Sequence, residues 1–173
     1  MLLNGVSDLL KMDRIPVLPM MNLDDIDRRL LIELQNEGRI TNVELAQRVG
    51  LTAPPCLRRV RSLEEEGIIQ GYHADLDGSK LGFTITVFAL VSLKSQAEEA
   101  LRGFEDHMKT LPEVRECHML NGEIDFILKI VSRDLQSFQE FLTSKLTPAP
   151  NVDSVKTSLT IRTAKSLPGV PLE

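Results

Sequence analysis

Three arginines in four residues, Arg58, Arg59 and Arg61, follow directly on a Pro54-Pro55 pair in the stretch LTAPPCLRRVRSLEEEG. Guanidinium groups stay charged at any physiological pH and present forked donors, so a cluster of them suits phosphate oxygens, the acceptors of a nucleic-acid backbone. Proline lacks the N–H that a helix interior needs, but first-turn N–H groups have no intrahelical acceptor, so the two prolines mark a helix start. Thr52 is placed to supply the N-cap oxygen, and Gly67 to end the helix in a left-handed conformation, which predicts a helix over 53–66. At about 100° per residue, Cys56, Leu57, Val60, Leu63 and the stem of Glu64 share an apolar stripe, while Arg58, Arg61, Ser62 and Pro54 fall on or beside the opposite face. Three glutamates crowd the last turn, against the helix dipole's preference for cations there. A merely solvated face would mix its signs; this one sorts them, which points to an anionic partner near the helix start.

The rest of the chain limits how that partner is met. Net charge over the 173 residues is −5, so a nucleic-acid surface must be local rather than spread over the protein. From Arg39 to Leu63 there are five arginines (Arg39, Arg48, Arg58, Arg59, Arg61) against one acid, Glu44, and that excess is what the average conceals. Hydrophobic residues make up 42%, enough for a packed core in one domain or two small ones. Cys56 and Cys117 lie far apart inside apolar patterns, which predicts free thiols in a reducing, cytoplasmic setting. The first 22 residues are interrupted by Asp8, Lys11, Asp13 and Arg14 before any signal-peptide core forms; they read as a loose arm, with Met20 or Met21 as alternative starts. No run is long enough to span a membrane.

Catalytic and metal chemistry find little to work with. His73, His107 and His118 fall in different predicted elements, and Cys117 and His118, adjacent on a predicted strand, point to opposite faces. There is no phosphate loop, nucleophile elbow or paired-carboxylate arrangement. No enzymatic activity, metal or cofactor is expected from these patterns, and Cys56 reads as a core thiol rather than a redox sensor.

Local patterning supplies the elements that position the arginines. Leu23, Ile26, Leu30 and Leu34 recur at helical spacing over 23–37, with Asp24, Asp25 and Asp27 at the positive end and Gly38 beyond. Thr41-Asn42-Val43-Glu44 has the form of a capping box, opening a short helix that buries Leu45, Ala46 and Val49 and stops at Gly50. Helix, glycine turn and helix is the arrangement in which the second member lies in a DNA major groove. Residues 68–82 read as an extended strand and linker. Beyond it, residues 83–93 place Ile85, Val87, Ala89, Val91 and Leu93 on one strand face and Thr84, Thr86, Phe88 and Leu90 on the other, both partly covered. A helix over 96–111 carries Ala97, Leu101, Phe104, Met108 and Leu111; strands 114–120 and 124–131 are joined at Asn121-Gly122-Glu123, a hairpin signal. A second helix over 134–146 turns Leu135, Phe138, Leu142 and Leu146 inward, and 152–163 is the last strand. The fold class is therefore α+β: an N-terminal helix-turn-helix over 23–67, then a βαββαβ ferredoxin-like α/β sandwich over 83–165, with a short tail over 166–173.

With the segments NVELAQRVGLTAPPCLRRVRSLEEEGIIQGY and VRECHMLNGEIDFILKI in place, the chain resembles the Lrp/AsnC (feast/famine) family of transcriptional regulators from residue 23 to about 165. The resemblance implies a winged helix-turn-helix that binds double-stranded DNA sequence-specifically, joined to an effector-binding, oligomerising domain. It further implies dimers that pair through their sheets, assembly to octamers, control of amino-acid metabolism or transport, and an amino-acid effector such as leucine. By family position, Thr52, Pro54, Arg58, Arg59, Arg61 and Ser62 are DNA-contact candidates; Arg59 sits on the flank, where pairing with an acid is the alternative. Gly122 to Asp125 matches the family's G-x-x-D effector motif, within Asn121, Gly122, Glu123 and Asp125: glycine admits a ligand close to backbone donors, and Asp125 can accept from an ammonium. The alternative there is plain hairpin chemistry with Asp125 on the surface. Thr157, Ser158, Leu159 and Thr160 would complete the pocket from a neighbouring dimer. The competing function is an enzyme on the same scaffold, a sirohaem decarboxylase-like protein without DNA binding, for which His73 and His118 are the candidate cleft residues.

Overall fold

The computed structural model describes residues 22–172; the N-terminal arm expected over 1–22, and the question of Met20 or Met21 as start, fall outside them but for Asn22. Two compact units divide the chain, one running to His73 and taking in the segment from Leu167 onward, the other Ala74–Ser166. The final residues, expected as a tail, belong to the first unit, where the Gln35 amide donates to the Val170 carbonyl (3.0 Å) and accepts from its N–H (2.9 Å).

The first unit is three helices: α1 (Asp25–Asn36), α2 (Asn42–Val49) and α3 (Ala53–Glu65). Asp24 caps α1 with a complete capping box, its Oδ1 accepting from the N–H groups of Ile26 and Asp27 while its own N–H donates to Asp27 Oδ2. The box expected at Thr41 is only half formed. Thr41 Oγ1 accepts from the Glu44 N–H (3.2 Å), but the Glu44 carboxylate is drawn instead to Arg48, 2.7 Å away. Gly50 ends α2 at φ +76° and ψ 33°, the left-handed cap its position predicted. Thr52 is the N-cap of α3 but makes no side-chain cap bond, contrary to expectation. The cause is covalent: a cap oxygen accepts from the second or third helical N–H, and those residues are Pro54 and Pro55, which have none.

Leu30, Leu45, Ala46, Val49, Cys56 and Val60 form the core of this unit, with Ile26, Leu34, Ile40, Leu51 and Ile69 packed on it. Burial pushes the Cys56 thiol above its usual range, which suits an inert core residue. Past Gly67 (φ +72°) the chain runs on without a ladder partner among the described residues; the Leu63 carbonyl accepts from the N–H groups of Ile68 and Ile69. Tyr72 donates to Glu64 Oε1 at 2.9 Å, and burial together with that carboxylate pushes its phenol up to about 12.

Because no described residue lies within 4 Å of a Cβ built on Gly50, the cost of Gly50→Ala is taken as conformational. Left-handed φ in an alanine costs roughly 1–2 kcal/mol, partly offset by a stiffer unfolded chain. We expect about 1 kcal/mol of destabilisation in denaturant titrations with no change in m-value.

The second unit orders its strands β2-β3-β1-β4, every neighbour antiparallel, from β1 (Ile85–Leu93), β2 (Val114–Met119), β3 (Phe126–Ser132) and β4 (Val152–Leu159). Helices α4 (Glu98–Lys109) and α5 (Leu135–Phe141) complete the βαββαβ order. Val87, Ala89 and Val91 pair across the sheet with Ile130, Leu128 and Phe126, and this face packs on Phe104, Met108, Phe138, Phe141 and Leu146. The rings of Phe104 and Phe126 lie 4.8 Å apart, tilted by 43°. On the other face Phe88 is 38% exposed and Leu90 and Ile127 are half-buried, so the expected cover on both faces is uneven within one chain.

Two local expectations change. The helix over 134–146 is α-helical only to Phe141 and continues as a π turn over Leu142–Leu146, with Thr147 N–H donating to the Leu142 carbonyl. Phe141, three residues after Phe138 on the same α-helical face, is buried, while Leu135, at the first helical position, is 52% exposed. The β2–β3 connection spans six residues, 120–125, not three; the Leu120 N–H donates to the Asp125 carbonyl, and Asn121 does not take the positive φ that a tight Asn-Gly turn requires. Asp125 is withdrawn from the turn because its own N–H donates to the Val91 carbonyl.

Candidate nucleic-acid interface and effector loop

The proline-set start of α3 orients its polar face, and Pro54, Arg58, Arg61 and Ser62 come together with Leu57 and Glu65 around one shallow depression. Arg58 and Arg61 are exposed, and among the described residues neither enters an ion pair. Thr52 is exposed beside them; the Ser62 hydroxyl is turned down the helix to donate to Glu66 Oε1 at 2.9 Å.

Arg59 takes the alternative its flank position left open. Its Nη1 donates to Asp27 Oδ1 at 2.7 Å and Asp24 Oδ2 at 2.8 Å. The carboxylates raise the Arg59 pKa, Asp27 first; Asp24 is lowered, chiefly by the Asp27 N–H. Arg48 is likewise consumed, bonded to Glu44, Glu37 and Glu33 at 2.7, 2.8 and 3.0 Å. Of these partners only Glu44, one helical turn away, was legible from spacing. The five arginines thus resolve into two internally neutralised cations, Arg48 and Arg59, two presented on α3, Arg58 and Arg61, and Arg39, exposed between α1 and α2.

In the second unit, Asn121, Gly122 and Glu123 are exposed in the β2–β3 loop. Asp125 is not the surface residue that plain hairpin chemistry implies: it is 7% exposed, Oδ2 accepts from the Leu93 N–H (2.7 Å) and Oδ1 from Gln96 Nε2 (2.9 Å). A carboxylate has about four acceptor sites, so capacity remains, but the first duty of this one is to fasten the loop to the end of β1. Thr157, Ser158 and Leu159 lie exposed on β4, an edge strand, and the Thr160 N–H donates to the Thr86 carbonyl. Thr160 Oγ1 is buried without a hydrogen-bond partner among the described residues. Register separates these groups: Leu159 pairs with Val87, whereas Asp125 grips Val91 and Leu93, toward the opposite end of β1. One chain does not bring Thr157–Thr160 and the loop together.

Cys117 and His118 face opposite sides of the sheet, across from Leu128 and Ile127. Burial, then Glu105, raises the Cys117 thiol to about 11, with Lys109 opposing. Among the described residues no group of three or more His, Cys, Asp or Glu side chains is arranged to hold a metal ion, and no helix is long and apolar enough to cross a membrane.

Both units have counterparts in known proteins. Residues 23–70 match a family described as winged helix-turn-helix DNA-binding, and residues 86–170 one described as the Lrp/AsnC ligand binding domain. A leucine-responsive regulatory protein of Rhizobium meliloti (strain 1021) is 53% identical over 143 residues, 83% of this chain and 92% of that one. The Bkd operon transcriptional regulator of Pseudomonas aeruginosa is 40% identical over 153 residues, 88% of this chain and all of that one. The crystal structure of a transcriptional regulator–L-Met complex from Neisseria meningitidis superposes with a TM-score of 0.82 at 35% identity, covering 87% of this chain and 97% of that one. Likeness of this extent in both units, over nearly the whole length of the relatives, means that the chain belongs to the Lrp/AsnC family of DNA-binding transcriptional regulators with a ligand-binding domain.

Proposed function

We propose that this protein represses or activates genes of amino-acid metabolism or transport in the cytoplasm, binding operator DNA through the exposed face of α3 and responding to a free apolar amino acid such as leucine. The observation that carries the DNA half is the sorting of arginines: Arg48 and Arg59 are ion-paired, whereas Arg58 and Arg61 stand exposed around one depression. Thr52, Pro54 and Ser62 frame that face. Relatives named leucine-responsive and a neighbour crystallised with L-Met support the effector class.

Homo-oligomerisation is part of the reading. The face of Phe88, Leu90 and Ile127 is the surface for sheet-to-sheet pairing into a dimer, and dimers assemble further toward an octamer. Since the loop at Asn121, Gly122, Glu123 and Asp125 is separated along β1 from Thr157, Ser158, Leu159 and Thr160, a pocket using both draws them from different chains. The loop supplies backbone donors to the effector's carboxylate, and Asp125 the remaining acceptor capacity for its ammonium.

Titrating the protein onto DNA fragments enriched from a random pool, at several salt concentrations, tests the DNA half. Arg61→Ala is expected to weaken binding, and with one phosphate interaction fewer the log–log salt slope should fall by about one for each engaged subunit. An unaltered affinity and slope would remove Arg61 from the interface.

A further inference from the structure

α1 and α3 are tied by a closed circuit of bonds. Asp24 Oδ1 accepts from the N–H groups of Ile26 and Asp27, Asp27 Oδ2 accepts from the Asp24 N–H, and the two remaining oxygens, Asp24 Oδ2 and Asp27 Oδ1, both accept from Arg59 Nη1. All four carboxylate oxygens of the cap are therefore engaged, two of them by one nitrogen of the DNA-reading helix. The acids need the cation as much as it needs them. Two carboxylates three residues apart at one helix start repel each other, and the guanidinium between them cancels that repulsion. Asp27 is the more enclosed partner, with 18% of its side chain exposed against 50% for Asp24. At about 100° per residue, Arg59 points about 100° away from Arg58 and about 160° from Arg61, so it leaves the cationic face and reaches the start of α1.

We infer that Arg59 is a positioning residue for DNA recognition, locking the angle of α3 through Asp24 and Asp27, and that it does not itself contact phosphate. This rests on the proposed reading of α3 as the DNA-binding helix and refines it. Core packing fixes which stripe of α3 is buried, but a stripe allows a helix to roll and slide; two charged bonds at a point beside the cationic face remove that freedom. Misplacement of α3 harms base readout more than general attraction to phosphates, since base-edge hydrogen bonds demand geometry while phosphate attraction does not.

Asp27→Asn removes a negative charge next to the DNA-binding helix and frees a cation, so electrostatics alone would tighten binding; the clamp requires the reverse. The test selects DNA fragments from a random pool with the wild-type protein, then measures wild type, Asp27→Asn, Arg59→Met and the double variant on a selected fragment and on its scrambled counterpart. Asparagine retains a capping oxygen and methionine retains an apolar stem, and thermal melts set an assay temperature at which all four are folded. We expect each single variant to lose selected-over-scrambled preference by roughly 5- to 150-fold, the range of one good base contact. The double variant should lose no more than either single, and the salt slope should hold.

Tighter binding by Asp27→Asn would overturn the inference, as would a slope that falls by about one per subunit in Arg59→Met. Unchanged preference in either single variant, or additive losses in the double, would overturn it too. Failure of the wild type to enrich any DNA would instead refute the proposed function itself, so the two failures are distinguishable.

Discussion

Arg58→Glu is expected to shift site preference or to abolish operator binding at physiological salt, because family members tend to carry an acid at this position. Arg58 is exposed on α3 in the depression shared with Pro54, Arg61 and Ser62, and no ion pair among the described residues occupies it. Removing one arginine–DNA interaction costs about 1–3 kcal/mol. In a dimer that engages two half-sites the cost is incurred twice, about 2–6 kcal/mol, or roughly 30-fold to more than 10,000-fold in affinity at 1.4 kcal/mol per factor of ten. A carboxylate set among phosphates adds repulsion to that cost. Folding should be spared, because an exposed arginine with no ion pair among the described residues is replaced by a residue of similar helix propensity, a change usually within about 0.5 kcal/mol. Binding isotherms on selected DNA, alongside thermal melts, check both halves; retained affinity would place the DNA interface elsewhere.

Asp125→Ala is expected to disconnect the ligand-binding domain from its effector while leaving effector-free DNA affinity intact. Both carboxylate oxygens are in use inside the second unit, Oδ1 by Gln96 Nε2 and Oδ2 by the Leu93 N–H at the buried end of β1. Stranding that donor costs about 1–3 kcal/mol, to be read as a lower unfolding midpoint. The loop over 120–125 would lose its anchor, and with it the geometry that presents Gly122 and its neighbours to a ligand. A typical allosteric coupling of about 1–3 kcal/mol changes affinity roughly 5- to 150-fold, and that response should vanish. Asp125→Asn separates the two roles: its oxygen still accepts from Leu93, but its amide cannot accept from Gln96, so stability should be intermediate. Calorimetry with each of the twenty amino acids, on wild type and both variants, reads the outcome. A response preserved in Asp125→Ala would exclude the loop as the effector site.

What these residues do was unequally visible in the chain. Pro54 and Pro55 set the start of α3, and Gly50 and Gly67 the ends of helices, because these effects act through each residue's own backbone. The cap bond expected from Thr52 fails for the same backbone reason: two prolines leave no N–H for its oxygen to accept from. Alternation in β1 fixed which residues face the helices, since a strand's two faces follow from its period of two. Those rules sufficed for the three-helix unit and the βαββαβ order.

Partnership was another matter. Arg58, Arg59 and Arg61 are one residue type within one turn, yet two are presented and one is taken by acids 32 and 35 positions earlier. Asp125 reads as a turn residue until β1 and β3 lie side by side and the Leu93 N–H, 32 residues away, meets its carboxylate. Phe141 rather than Leu135 lies in the core, because Phe138 and Phe141 share the helix face that packs on the sheet while Leu135 sits at the exposed first helical position. In each case the local pattern admits several outcomes of similar energy, and only packing, which brings distant charges and donors within about 3 Å where water is partly excluded, makes one of them decisively lower. The sequence by itself determined the elements, their faces and the family; the tertiary structure decided which charges are spent holding the fold and which remain to meet a partner.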